Sequence, residues 1–433
     1  MQAQVKALQE ENQLLKNGRK SNTSSTPPSH DIGRSNKKSL REPSTRKTGG
    51  QSGHRGATLM MKEIADKIVE YRPNYCKHCG DELIADEATF VSRRQEIELP
   101  PIIPIYVEHQ SFSCTCKTCS TVTTCELPEH LKANIQYAPK ISAWVAYLSV
   151  RQYMSYERIA EFMKDCLNMA ISEGTIDNML QSLTEKAEPI YESIKQRVSQ
   201  SPVVGGDETG IKIKGGKNGK GWLFTFQTPL LTFLAVSFSR GYETINNLFK
   251  NGFPISVYVT DCLPAQLKVH AKAHQICIAH LLRELNNFID VFKCEWSVQL
   301  KQLFKQALEL KSQMNPHDYL SPNEKVISIQ QQLDSLLQIE LTNKQKKVKA
   351  FIKRLNKNRN SIFTFLYHRK VPPDNNGSER AIRTAKVKMK VSNQFRSIAG
   401  AHRFAVLRSI IDTTIKNSQN VLEALSLLPT LAK

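Results

Sequence analysis

Two sets of residues in this 433-residue chain have the types and spacing to do chemistry. The first set is acidic. Asp207 follows "PVVGG" and Asp261 follows "ISVYVT", and each run reads as a buried strand that ends at its acid. Side chains at that place project from the carboxyl edge of a sheet. Glu208 adjoins Asp207 but should point to the opposite face, because strand side chains alternate. Glu379 heads a stretch in which Arg380 to Arg396 include six Lys or Arg and no acid. On a helix, Glu379, Arg383, Lys386 and Lys390 fall within about 40° of one line. Two aspartates from neighbouring strands and one glutamate from a helix make an oxygen-rich set for Mg²⁺ or Mn²⁺. Two such ions activate a water or a 3′-hydroxyl and stabilise the leaving oxygen at phosphorus. Arg383, Lys386 and Lys390 would line the path of a phosphate backbone. A surface helix with one Glu-to-Arg pair explains the same four residues without any chemistry.

The second set is sulfur. Cys76-Lys-His-Cys79 and Cys116-Lys-Thr-Cys119 are two Cys-x-x-Cys knuckles with 36 residues between them. Each wraps a zinc ion with backbone amides turned to the sulfurs, and two complete a tetrahedral Zn²⁺ site. Cys114, Cys125 and His109 are spare candidates, and unrelated thiols in a strand-rich module are the bland alternative. The run "FVSRRQEIELPPIIPIYVEHQSFSC" alternates like strands that could close the gap.

The elements that must hold these sets can be read around them. Val5, Leu8, Asn12 and Leu15 have a/d spacing, the end of a coiled-coil helix over 1–16 that predicts a homo-oligomer. Residues 17–58 have the Ser, Thr, Pro, Gly and basic content of a flexible linker. A zinc-binding module is expected over 59–130. Residues 131–200 read as helical, with a helix-turn-helix-like pair whose second helix is capped by Ser172; a purely structural helix pair fits as well. Residues 201–290 change to short β-rich runs. Residues 291–370 are helical again, with Ser321-Pro322-Asn323-Glu324 as a capping box and first-turn proline. Ser378 should cap a helix that starts near Glu379, and residues 401–415 and 419–428 read as closing helices.

Lys and Arg number 60 against 40 Asp and Glu, a net charge of +20. That excess points to a polyanionic partner, and nucleic acid is the commonest. No run approaches the roughly 20 apolar residues of a membrane span, and the N-terminus lacks an apolar signal core. A cytoplasmic chain is expected, with its ten cysteines reduced.

In order along the chain, the zipper end, "GGQSGHRG", the paired knuckles, "GGDETG", "TDC…CIAHLLREL" and "NNGSERAIR…VKMKVSNQFRS" resemble the insertion-sequence-66 family of bacterial transposases. The likeness covers nearly the whole chain. It implies a multidomain α+β protein: a ribonuclease H-like α/β catalytic core over 201–290 and 371–415, interrupted by a helical insertion at 291–370. A zinc-binding module and a helical DNA-binding segment would precede the core, and a C-terminal helix over 416–433 would follow it. It implies an Asp-Asp-Glu triad at Asp207, Asp261 and Glu379, with His280 and Arg283 beside it from a Cys277-x-Ala279-His280-x-x-Arg283 element. It implies Zn²⁺ on Cys76, Cys79, Cys116 and Cys119. The implied activity is cleavage of insertion-sequence ends and transfer of the 3′-hydroxyl to target DNA, in the bacterial cytoplasm at the nucleoid, with accessory transposition proteins as further partners. Two departures stand out: Cys262-Leu263 where the family often has Gly-Tyr, and Ser120 where glycine is common after the second knuckle. Glu284 is a rival for the third acid, but on its helix it neighbours His280 and Arg283, and a paired surface role explains it. A transposase-derived DNA-binding protein without catalysis, and a nuclease without strand transfer, are the competing readings.

Overall fold

The alternating run before Ser113 forms no strand. Pro100, Pro101 and Pro104 remove ladder donors from it, and no neighbouring strand is there to pair with. The computed structural model describes residues 58–339 and 346–431, with Gly49, Gly53 and Gly56. The coiled-coil end at 1–16 and nearly all of the linker lie outside the described residues. The chain divides into a small unit within Lys37–Pro104 and a larger one that includes Ile105–Lys433.

In the larger unit, β1 (Ser113–Thr115) and β2 (Val122–Thr124) make a short antiparallel hairpin around the second knuckle. Helices α1 (Pro139–Ala146), α2 (Tyr156–Leu167) and α3 (Glu173–Ser199) follow. Ser172 caps α3 as expected, its hydroxyl accepting from Thr175 N at 3.1 Å. Asn168, in the left-handed conformation, breaks the chain between α2 and α3. The helix-turn-helix-like pair is built into the main core: Ile176, Leu180, Leu183, Ala187, Tyr191, Ile194 and Val198 of α3 are all buried.

Five strands form the central sheet: β3 (Val203–Lys212), β4 (Lys220–Gln227), β5 (Thr232–Ser237), β6 (Phe253–Thr260) and β7 (Ala271–Ile276). Their order is β5-β4-β3-β6-β7. The three strands β3–β5 run as an antiparallel meander, and β6 and β7 lie parallel to β3. Helix α4 (Tyr242–Leu248) joins β5 to β6, and the single turn α5 (Pro264–Leu267) joins β6 to β7.

Strand alternation splits the sheet residues between two faces. Gly206, Glu208, Phe224, Phe226 and Tyr258 share one; Gly205, Asp207, Thr225 and Gln227 share the other with Val257 and Val259. Rings of Phe226, Phe249, Phe253 and Tyr258 pack in series on the first face.

After β7 come α6 (Ile278–Phe292), α7 (Glu295–Gln313), α8 (Glu324–Leu337) and α9 (Lys346–Lys357). Ile278, Leu281, Leu285 and Phe288 give α6 a buried stripe at helical spacing. They join Trp296, Leu300, Leu333, Phe351 and Leu355 in a second apolar cluster that also takes in Val257, Val259 and Ile276. The cap of α8 differs from the expected box. Asn323 is the capping residue, accepting from Lys325 N at 3.0 Å, and a reciprocal box forms earlier at Asn315 and Asp318. The chain returns through α10 (Thr364–Tyr367) to α11 (Asn376–Ser392), α12 (Ile398–Lys416) and α13 (Val421–Leu427). No helix among the described residues is long and apolar enough to cross a membrane.

Candidate functional site

Strand register brings the two aspartates together. Val203 pairs with Val257, Val204 with Tyr258 and Gly205 with Val259. Carrying that parallel register on by two residues sets Asp207 beside Asp261. The two glycines before Asp207 are there for close approach. A Cβ on Gly205 would lie 2.7 Å from Gln227 Nε2 and 2.8 Å from Ser378 Oγ, and one on Gly206 would overlap the Tyr258 hydroxyl. The start of α11 therefore lies directly on β3.

Asn375 fastens it there. This residue is 1% exposed. Its Nδ2 donates to Gly206 O at 2.7 Å, its backbone N donates to Cys277 Sγ at 3.2 Å, and its Oδ1 accepts from Ser378 Oγ at 2.7 Å. Ile278 N also donates to Pro373 O at 2.9 Å. These contacts join β3, the head of α6 and the head of α11. The helix starts at Asn376 instead of Glu379, and Ser378 holds Asn375 where a capping role was expected. The "DNNG" run has the composition of a turn, yet Asn376 and Gly377 already belong to the helix, and nothing in its composition signals that Asn375 is the buried pin.

The head of α6 then bridges the acids. His280 Nδ1 lies 3.0 Å from Asp261 Oδ1, and Nε2 lies 3.8 Å from Glu379 Oε1. Arg283 Nη2 lies 3.3 Å from Glu379 Oε1, and Arg283 Nη1 lies 2.9 Å from His280 Nε2. Burial draws the proton affinity of His280 down, but Asp261 and Cys277 outweigh it and raise it overall. A guanidinium can only donate. It therefore approaches Nε2 as a donor, while Nδ1 lies on the Asp261 side of the ring.

Asp207 is half-buried. Burial, then the charges of Asp261 and Glu208, push its carboxyl well above the ordinary range. Glu208 points to the other face, as expected. It is held there by Arg240, at 2.8 and 3.0 Å, and by Gln266.

This geometry fits a hard divalent cation. Asp261 Oδ1 is buried without an aligned hydrogen-bond partner, and Asp207 is crowded by like charge with no cationic side chain bonded to it. Carboxylate oxygens crowded by like charge are what Mg²⁺ or Mn²⁺ takes. A softer trio also comes together, since Asp261, Cys277 and His280 offer ligand atoms within 4.8 Å of one another. Its sulfur accepts from Asn375 N, however, and Arg283 Nη1 lies 2.9 Å from His280 Nε2.

Glu284 lies outside this cluster. Both of its oxygens accept from Arg354 Nη2 at 2.7 Å, which ties it to α9. Of the three basic residues on the Glu379 line, Arg383 and Lys390 are exposed. Lys386 is half-buried and donates from Nζ to Gly210 O at 3.0 Å, which ties α11 to β3.

The two knuckles share one backbone design, although each lies in its own unit. Gly80 N donates to Cys76 O and Ser120 N to Cys116 O, both at 2.9 Å; on the return of the chain, Cys76 N donates to Asp81 O and Cys116 N to Thr121 O. Gly80 and Ser120 both have positive φ, 80° and 55°. Ser120 thus adopts the conformation that glycine would supply. Backbone amides of Cys79 and His78 lower the Cys76 thiol, and those of Cys119 and Thr118 lower Cys116 to about 7. Amides aimed at sulfur favour thiolate, the form that binds zinc.

Residues 134–403 match the family model described as the IS66 family of transposases. The chain belongs to the IS66 transposase family. A second family model, the zinc-finger binding domain of the IS66 transposase, matches residues 73–120 and so includes all four knuckle cysteines. An uncharacterised protein, y4hP, of Sinorhizobium fredii is 21% identical over 80% of this chain and 68% of its own length. Membership gives this IS66 protein a transposase role, DNA as its partner and zinc as the metal of its finger. A structural zinc finger with four thiolate ligands leaves no open position. Purified protein should therefore carry one Zn²⁺ per chain by metal analysis. Cys76→Ser or Cys119→Ser should lose it and make residues 71–125 sensitive to protease, because metal binding is coupled to folding. Protein free of zinc would sink that expectation.

Proposed function

We propose that this IS66-family protein is a DDE transposase: it cleaves the ends of its insertion sequence and transfers the freed 3′-hydroxyl to target DNA. One observation carries the reading. Asp207 lies within β3 and Asp261 directly follows the adjacent parallel strand β6, and His280 lies between Asp261 and Glu379 at 3.0 and 3.8 Å. The sheet order, with an antiparallel meander joined to two parallel strands, supports a ribonuclease H-like core formed by 201–290 and 371–415. Residues 291–370 are then the helical insertion, 59–130 the zinc module and 131–200 a helical segment ahead of the core.

In this reading Asp207, Asp261 and Glu379 hold Mg²⁺ or Mn²⁺. When bound, a pair of such ions supplies an activated water or 3′-hydroxyl and a counter-charge for the leaving oxygen. The chain's own residues do the positioning. Asn375 fixes the backbone at Glu379, Arg283 and His280 orient the Glu379 carboxylate, and His280 Nδ1 faces Asp261. Arg383 and Lys390 offer exposed charge to DNA phosphates, with Lys386 beneath them. The heptad spacing at 1–16 supports a homo-oligomer, and accessory proteins and a place at the nucleoid belong to the same reading.

The test is an assay with Mg²⁺ on duplex DNA that carries the inverted repeats flanking the gene. Nicks at the repeat ends and joined strand-transfer products are expected. Cleavage without joining would replace this reading with a nuclease, and binding without cleavage would replace it with a DNA-binding protein.

A further inference from the structure

The most concentrated charge outside the candidate site lies on α9. Six of its residues are Lys or Arg, and none is acidic. Val348, Phe351, Ile352 and Leu355 are its buried side. At about 100° per residue, Lys346, Lys353 and Lys357 fall within about 20° of a line opposite Leu355. All three are exposed, and among the described residues no carboxylate or carbonyl engages them. Lys349 lies on the flank of the same face, half-buried. At 1.5 Å per residue the line is about 16 Å long, close to five base-pair steps of one strand at about 3.4 Å each.

This helix is firmly mounted. Arg354 meets both oxygens of Glu284 on α6. The Phe351 ring meets Phe288 edge-on at 5.3 Å and Trp296 at 6.3 Å. The α6 helix carries His280 and Arg283 at its head, and the charge of Arg354 reaches Cys262, next to Asp261. The lysine line is therefore held on the same scaffold as the acids.

Its chemistry narrows the ligand. The outer face offers ammonium groups with Ala350 and Asn356 between and beside them, and no aromatic ring on which a base could stack. It has no apolar edge to enter a bilayer. Ammonium groups at helical spacing suit phosphates and read no bases.

We infer that the outer face of α9 grips the phosphate backbone of duplex DNA beside the candidate site, without regard to sequence. The inference rests on the transposase reading for its duplex ligand. Its test is the salt dependence of binding to a duplex without terminal repeats, for wild type and for the triple variant Lys346→Gln, Lys353→Gln, Lys357→Gln. Each lost phosphate contact removes about 0.9 from the slope of log K against log salt. The variant should have a slope shallower by about 2–3 and an affinity lower by about ten-fold or more, with zinc content and melting temperature unchanged. A control variant, Lys250→Gln, Lys268→Gln, Lys325→Gln, removes equal charge elsewhere and should keep most of the slope. An unchanged slope in the α9 variant, or an equal loss in the control, overturns the assignment and leaves the transposase reading intact. Wild-type protein that binds no duplex overturns both.

Discussion

Glu379→Gln should abolish cleavage and joining while fold and DNA binding persist. Glutamine has nearly the volume of glutamate and similar helix propensity. Its amide oxygen can still accept from Arg283, which stands 3.3 Å from the Glu379 oxygen. What disappears is the negative charge that a hard cation requires. Loss of one member of a concerted catalytic set costs about 10⁴–10⁶ in rate, so the product should fall to background. Binding to end-containing DNA should stay the same or tighten slightly, since a negative charge beside the backbone is gone.

Glu284→Gln is the matched control. Glu284 binds Arg354 through both oxygens, and its side chain is 12% exposed. Truncating that pair costs about 1–3 kcal/mol of stability and should leave activity within about ten-fold of wild type. A cleavage assay with Mg²⁺, run beside a binding assay and a thermal melt, reads all of this. An active Glu379→Gln with a dead but folded Glu284→Gln would falsify the triad assignment.

The two acids differ in how legible they were. Asp207 and Asp261 follow apolar runs of strand length, and the period of a strand sets which way its acids point. Glu208 was placed on the far face by that period alone. Glu379 and Glu284 could not be separated by pattern, because both sit on helices among basic residues. Only the resemblance ranked them, and the Arg354 partner of Glu284 comes from a helix 70 residues away. Elements with strong periods, such as α3, α6 and α11, were readable, and their ends were less so. The cap of α8 moved from Ser321 to Asn323, and α11 began before Ser378, because several capping residues stand in a row and local sequence does not choose among them. The alternation at 90–112 misled, since alternation reports a half-buried surface only where another strand supplies the pairing. Asn375 was invisible. Its role depends on Cys277 and Gly206, which lie about 100 and 170 residues away in sequence.

Asp207→Asn should be inactive and yet more stable than wild type when divalent metal is absent. Asp207 is half-buried beside Asp261 and Glu208, and its raised proton affinity reports that the charged form is disfavoured there. Such a cluster is the usual trade of stability for function, and relieving it is worth about 0.5–2 kcal/mol. Asparagine keeps the shape. Its amide oxygen can accept from Glu208 N–H, as Asp207 Oδ1 does at 2.8 Å, and its amide nitrogen can donate to the unsatisfied Asp261 Oδ1. In EDTA-treated protein reloaded with zinc alone, the variant should melt a few degrees above wild type. Added Mg²⁺ should reverse the order, because a ligand that binds only the folded state raises stability with concentration. Wild type should gain from it, and the variant should gain little. A variant that melts below wild type in the metal-free state would show that the carboxylates are not in conflict. A variant that keeps the full Mg²⁺ response would remove Asp207 from the metal set, whatever its activity.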